Sequence, residues 1–185
     1  MMEKRKTKLI IVLGTNGTGK TTILEKFVKA EKHKTLVVTP DDKDWLHLPH
    51  IFDINAENFS YRSIKRRIWQ DSNDLAQISG KFSNGLLVFD DCRSYFSSAH
   101  LDAELHSLLI RRRQKQVDII VAAHGFSEVP PKFYTFATEI VLFKTLDNVA
   151  SRKYVVQDFE KMKHSQEFVN MRAVADPHYY TIIKL

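Results

Sequence analysis

Gly14-Thr15-Asn16-Gly17-Thr18-Gly19-Lys20-Thr21 constrains this chain more than any other stretch, because it matches the pattern GxxxxGK[ST] completely. An apolar run, Leu9–Leu13, precedes it, and Thr21–Ala30 follows with Ile23, Phe27 and Val28 at helical spacing. A strand, a glycine loop and a helix in that order form a cradle for phosphate. The glycines let successive backbone N–H groups turn toward one anion, and the positive end of the helix adds to that field. Lys20 is placed to reach the β- and γ-phosphates of a nucleoside triphosphate, and the Thr21 hydroxyl to ligate Mg²⁺.

Further apolar runs occur at Thr35–Thr39, Leu86–Phe89, Val117–Ala123, Glu139–Phe143 and near Tyr179–Ile183. Most are continuous rather than alternating, as in strands of a parallel sheet covered on both faces. Helical spacing recurs over Leu101–Gln114 and Val155–Arg172. It also covers Tyr61–Gln70, where Ile64 and Ile68 would point inward. Residues 41–60 have no clear period and read as an excursion after the second strand. Alternating strands and helices predict an α/β fold with a mainly parallel, doubly wound sheet and ligands at the strand C-termini. With 185 residues and 43% hydrophobic content, the expectation is a single domain over 1–185.

Gly85-Leu86-Leu87-Val88-Phe89 ends in Asp90-Asp91, an apolar strand closed by two carboxylates. Downstream of a phosphate loop, this is where a metal-binding acid and a water-orienting acid belong. Asp90 is therefore assigned to the Mg²⁺ shell and Asp91 to the attacking water. Cys92, the only cysteine, reads as a small buried residue of the turn that follows. Further on, Arg111-Arg112-Arg113 closes a helix, and Asp118-Ile119-Ile120-Val121-Ala122-Ala123 leads to His124. If that strand lies beside the Asp90 strand, His124 points toward the γ-phosphate.

This order of motifs resembles the FtsK/HerA superfamily of DNA-pumping ATPases, within the P-loop NTPase fold. In outline it is nearest to the viral genome-packaging and filamentous-phage (Zot-like) assembly branches. The resemblance spans roughly Lys8–Leu142, with Arg113 and Asp118 on matching positions; His124 and Ala123 replace the usual Gln and Thr. It implies ATP and Mg²⁺ as ligands, a homo-oligomeric, hexameric ring, and an arginine finger donated between subunits. Arg113 is the first choice for that finger and Arg112 the second. The partners it implies are double-stranded DNA, bound without sequence preference, and a docking protein at a capsid vertex or membrane.

The competing readings differ in chemistry. A small-molecule or nucleotide kinase would use the same loop, with Arg111–Arg113 as a lid clamping phosphates. A filamentous-phage assembly ATPase would carry a membrane anchor, and the apolar runs are too short to cross a bilayer. A GTP-binding switch is disfavoured, since no Asn-Lys-x-Asp motif closes a strand. A nucleotide-dependent DNA-binding subunit without catalysis is the fourth. Lys4-Arg5-Lys6 before Leu9–Leu13 mimics a secretory leader, but the apolar run is short and enters the glycine loop directly. The lone cysteine suits a reducing compartment, so a cytoplasmic or virion location is expected. The charge balance, 28 Lys+Arg against 22 Asp+Glu, favours polyanionic partners. The cluster Lys65-Arg66-Arg67 lies outside the nucleotide motifs and is assigned to DNA phosphates.

Overall fold

Alternation within the central strands sends side chains to two separate cores, and this divides the molecule into three layers. In β1 (Leu9–Leu13), Leu9, Ile11 and Leu13 enter one core while Ile10 and Val12 enter the other. The computed structural model describes residues 6–54, 59–96 and 101–185. Lys4, Arg5 and residues 55–58 of the unperiodic stretch lie outside them.

The remaining strands are β2 (Lys34–Thr39), β3 (Ile64–Ile68), β4 (Gly85–Phe89), β5 (Val117–Ala123), β6 (Glu139–Leu142) and β7 (Thr181–Lys184). They form one seven-stranded sheet in the order β3-β2-β4-β5-β1-β6-β7. β1 to β6 are mutually parallel, and β7 returns antiparallel to β6. The fold is α/β, as the alternating runs predict. The smaller core sits under α1 (Lys20–Ala30), which contributes Ile23, Leu24 and Val28, with Trp45 beside it. The larger core takes Leu75 and Ile78 from α2 (Ser72–Lys81), and Leu105, Leu108 and Leu109 from α3 (Leu101–Lys115). Phe133 and Tyr134 of α4 (Pro131–Phe136) and Met162 of α5 (Phe159–Arg172) complete it. β1, β4 and β5 are buried along almost their whole length, which explains their continuous apolar character.

Two helices start on acidic caps. The Asp71 carboxylate accepts from the Asn73 amide at 2.8 Å, and the Asp158 carboxylate from the Lys161 amide at 3.2 Å. The cap at Asp158 is why α5 begins later than the apolar spacing from Val155 suggests. Among the described residues, no helix is long and apolar enough to cross a membrane.

The expected helix over Tyr61–Gln70 is instead the edge strand β3, paired in register with β2. Ile64 and Ile68 are four apart, and four is a multiple of the strand period as well as close to a helical turn, so both conformations put them on one face. Arg66 and Arg67 are buried and structural. The Arg66 guanidinium donates to the carbonyls of Asp42 (2.9 Å) and Asp44 (2.7 Å). Arg67 grips both oxygens of the buried Asp74 carboxylate at 3.0 and 2.8 Å and donates to the carbonyls of Ile51 and Phe52. Lys65 holds its ammonium 4.4 Å from the Tyr61 ring centroid. These contacts tie the excursion after β2 to the sheet edge and correct the assignment of Arg66 and Arg67 to DNA phosphates. Arg67→Met should therefore destabilise the fold by about 3–5 kcal/mol, since it leaves Asp74 buried without its partner. Urea unfolding of the two proteins measures the difference.

Candidate nucleotide site

The phosphate loop lies between the end of β1 and the start of α1, and close approach at Gly14 sets its course. A Cβ on Gly14 would come within 2.6 Å of Phe143 Cβ and 2.7 Å of Thr18 Oγ1, so no side chain fits there. Gly19 has φ +97°, which L side chains rarely adopt, and it stands at the cap of α1 without a side-chain acceptor. The first intrahelical bond runs from the Ile23 amide to the Gly19 carbonyl at 3.1 Å. The preceding amides of the first turn have no helical acceptor, so they and the helix dipole face the loop. Thr18 steadies the bend by donating its hydroxyl to the Thr15 carbonyl at 2.8 Å. Asn16 and Gly17 are exposed at the tip, and Thr21 is exposed in the first turn of α1.

Lys20 turns back over the loop. Its ammonium donates to the carbonyls of Gly14 (2.5 Å) and Thr15 (3.1 Å) and lies 3.4 Å from His124 Nδ1. An ammonium only donates, so this contact selects the histidine tautomer whose Nδ1 carries no proton. Burial pushes the Lys20 amine below its ordinary value, while the charges of Asp90, Asp91 and Glu128 oppose that shift.

Both acids come from the end of β4. In the order β4-β5-β1, the Asp90-Asp91 strand is separated from the phosphate-loop strand by β5 alone, and β5 delivers His124 between them. Asp90 is largely buried and accepts from the Trp45 indole N–H at 2.8 Å. Burial pushes its carboxyl above the ordinary range; the Trp45 bond pulls it down, Asp44 and Asp91 push it up, and Lys20 pulls it down. The Tyr95 hydroxyl shares its one proton between the Asp90 backbone carbonyl (2.5 Å) and the Val38 carbonyl (3.1 Å), which pins the strand end. Asp91 follows at φ +62°, a conformation that aspartate tolerates better than most residues. Its Oδ2 accepts from Ser94 at 3.2 Å, while its Oδ1 is buried without a hydrogen-bond partner among the described residues. Cys92 is fully buried in the ensuing turn, where burial pushes its thiol up, in keeping with a packing role.

Mg²⁺ fits this donor set. The Thr21 hydroxyl and the Asp90 carboxylate are hard oxygen donors of the kind it prefers. Among the described residues, no group of three His, Cys, Asp or Glu could hold a metal without further ligands. That is consistent with a cation that shares its shell with phosphate oxygens and water.

Sequence reasoning passes over three residues here. Trp45 comes from the stretch without periodicity. Glu128, four residues past His124, accepts from the His124 amide at 2.8 Å and approaches the exposed Arg93 at 3.6 Å. Only their proximity to Asp90 and His124 in the chain could have flagged Arg93 and Glu128.

The arginine cluster lies at the other end of the sheet. Arg112 is buried and donates to Thr7 Oγ1 at 2.7 Å and to the Phe136 carbonyl at 3.2 Å. Thr7 precedes β1 and Gly14 follows it, so these arginines stand about 20 Å from their own phosphate loop. Arg112 is thereby committed to the fold, and the expectation of it as second-choice finger is corrected. Arg113 is exposed beside it, near Lys6, Lys8 and Glu139.

The mostly parallel sheet, the glycine loop entering α1 and the acids at the end of β4 define a P-loop NTPase fold. Comparison with solved structures agrees. The chain is similar to B204, the DNA-packaging ATPase of Sulfolobus turreted icosahedral virus, at a TM-score of 0.65 and 12% identity over 96% of this chain and 92% of that one. It is similar in the same degree of coverage to the genome-packaging NTPase B204 of Sulfolobus turreted icosahedral virus 2 in complex with AMPPCP, at 0.62 and 12%. The N-terminal domain of zonular occludens toxin from Neisseria meningitidis aligns at 0.49 and 10% identity, over 98% of this chain and 95% of that one. No family model matches the sequence, and no curated protein does.

Two measurements check the site. Lys20→Ala should weaken triphosphate binding by at least about tenfold, because one fixed charge near the β/γ oxygens is lost; calorimetric titration reads it. Trp45→Phe removes the N–H that lowers the Asp90 carboxyl, so that group should rise further. A proton then competes with the cation up to a higher pH, and the acidic limb of Mg²⁺-dependent nucleotide binding should move upward in a pH series.

Proposed function

We propose that this chain is an ATP-hydrolysing motor that moves DNA, a genome-packaging ATPase of the FtsK/HerA type acting in a ring. The convergence of Lys20, Asp90, Asp91 and His124 at the ends of three adjacent strands carries this reading. The fold shared with B204, a packaging NTPase seen in complex with AMPPCP and with ATP-gammaS, supports it.

In this mechanism the loop amides and Lys20 bind the β- and γ-phosphates, and the α1 dipole adds to the field. Thr21 and Asp90 would hold Mg²⁺, which neutralises charge on the phosphate oxygens when bound. Asp91, next to Asp90 at the end of β4, orients the attacking water. His124, in contact with Lys20, is placed to respond to the γ-phosphate. Arg113 lies too far from its own loop to act there, so it serves a neighbouring subunit. The same distance counts against the kinase reading, whose lid needs Arg111–Arg113 over the phosphates of the same chain. The remaining partners follow from this reading: double-stranded DNA without sequence preference, a hexameric ring, and a docking protein at the capsid vertex. The setting is the host cytoplasm or the virion.

Mixing variants tests the reading. Arg113→Ala should bind ATP normally and hydrolyse it about 10³-fold more slowly. Asp91→Asn should also bind and not hydrolyse. Mixed, the two should recover DNA-stimulated activity, because an Arg113→Ala subunit keeps its acids and an Asp91→Asn neighbour still donates an arginine. Subunit exchange seen by fluorescence without recovered hydrolysis overturns the trans finger, and phosphoryl transfer to a small acceptor would establish the kinase.

A further inference from the structure

On the opposite side of Gly19 from the acids, the chain forms a recess that no motif announces. It is a cavity of about 300 Å³ between the first turns of α1 and the segment that leads into β7. Thr22, Ile23 and Lys26 line it from α1, Phe143 from the end of β6, and His178 and Tyr180 from the returning segment. The Phe143 and Tyr180 rings pack at a centroid distance of 5.0 Å and 37°. Phe143 is 2% exposed and forms a fixed floor, whereas Tyr180 keeps 38% of its surface open. The Asp176 carboxylate accepts from the His178 amide at 2.9 Å, and the Tyr179 amide donates to the Asp176 carbonyl at 2.9 Å, so a turn presents both side chains.

This recess is contiguous with the phosphate loop. A Cβ on Gly19 would lie 3.4 Å from His178 Nδ1 and 3.7 Å from Phe143 Cε1. The residue whose positive φ shapes the phosphate cradle is therefore also a wall of the recess. Its surface combines aromatic and aliphatic faces with a few groups that can donate or accept: the Thr22 hydroxyl, the His178 imidazole and the Lys26 ammonium. A flat heteroaromatic ring with polar edges matches both features, since it offers a π-face for stacking and edge atoms for hydrogen bonds. The volume is at the small end for ligand sites, suited to one base rather than a whole nucleotide.

We infer that this recess binds the nucleobase of the triphosphate, a purine by size, with Tyr180 as the stacking platform and His178 and Thr22 at the base edge. The inference rests on the nucleotide reading of the phosphate loop. It assigns a role to the C-terminal segment: the turn before β7 closes the base side of the site.

Paired titrations with ATP and with inorganic tripolyphosphate separate the two readings. The wild-type chain should bind ATP at least about tenfold more tightly than tripolyphosphate, the effect of one good base–aromatic stack. Tyr180→Ala should erase that difference and leave tripolyphosphate binding as in wild type, while Tyr180→Phe retains the preference. His178→Ala should lose part of it. Both positions are exposed, and a circular dichroism melt verifies that each variant is folded. If folded Tyr180→Ala and His178→Ala both bind ATP as tightly as wild type, the base lies elsewhere. Equal weakening of ATP and tripolyphosphate also overturns the recess, because the change then acts on the phosphate loop. If wild type binds neither ligand, the phosphate-loop reading itself fails.

Discussion

The arrangement depends on a partly buried ammonium. Desolvation disfavours the charge on Lys20, and three carboxylates, Asp90, Asp91 and Glu128, offset it from β4 and from the turn after β5. The loop carbonyls of Gly14 and Thr15 accept hydrogen bonds from it, so the cation is held in place beside His124. Each partner reaches it only because β4, β5 and β1 are neighbours, and that adjacency in turn requires strands apolar on both faces. The electrostatics at the loop and the packing of the two cores are thus one constraint seen at different distances.

The parts legible in the sequence are those where local pattern and chemistry coincide. Leu9–Leu13, the glycine loop and Thr21–Ala30 are contiguous, so one motif specifies a strand, a turn and a helix together. Asp90 and Asp91 are read from the apolar strand before them, and the adjacency of β4 and β5 follows from the succession of strands and helices. Ambiguity enters where periodicity cannot choose. Ile64 and Ile68 satisfy both a helix and a strand, and only hydrogen bonding to β2 decides between them. Nor does sequence reveal that Arg66 and Arg67 face carbonyls and a buried carboxylate; a basic triplet looks the same whether solvated or enclosed. Trp45 is harder still, because its meeting with Asp90 depends on how an unperiodic excursion is tied down far from the loop.

Buried arginines therefore fill an organising role in this small molecule. Arg66 and Arg67 fasten the excursion to the β3 edge, and Arg112 joins the end of α3 to the entry of β1 and the end of α4. A guanidinium can satisfy several carbonyls in one plane, which short irregular segments leave in plenty. Part of the chain's positive charge is thus internal, and the net charge of +6 overstates what the surface offers to a polyanion.

The contact between Trp45 and Asp90 also has an optical consequence. The chain contains two tryptophans, and both lie near the same residue, one at its carboxylate and one by way of its backbone carbonyl. Trp45 donates directly to Asp90, while Trp69 packs at 5.0 Å against the Tyr95 ring whose hydroxyl holds the Asp90 carbonyl. Indole emission responds to nearby charge and to the loss of a hydrogen bond. Without any label, the tryptophan fluorescence of this protein therefore reports on the end of β4, where a change of charge on one acid alters the light emitted.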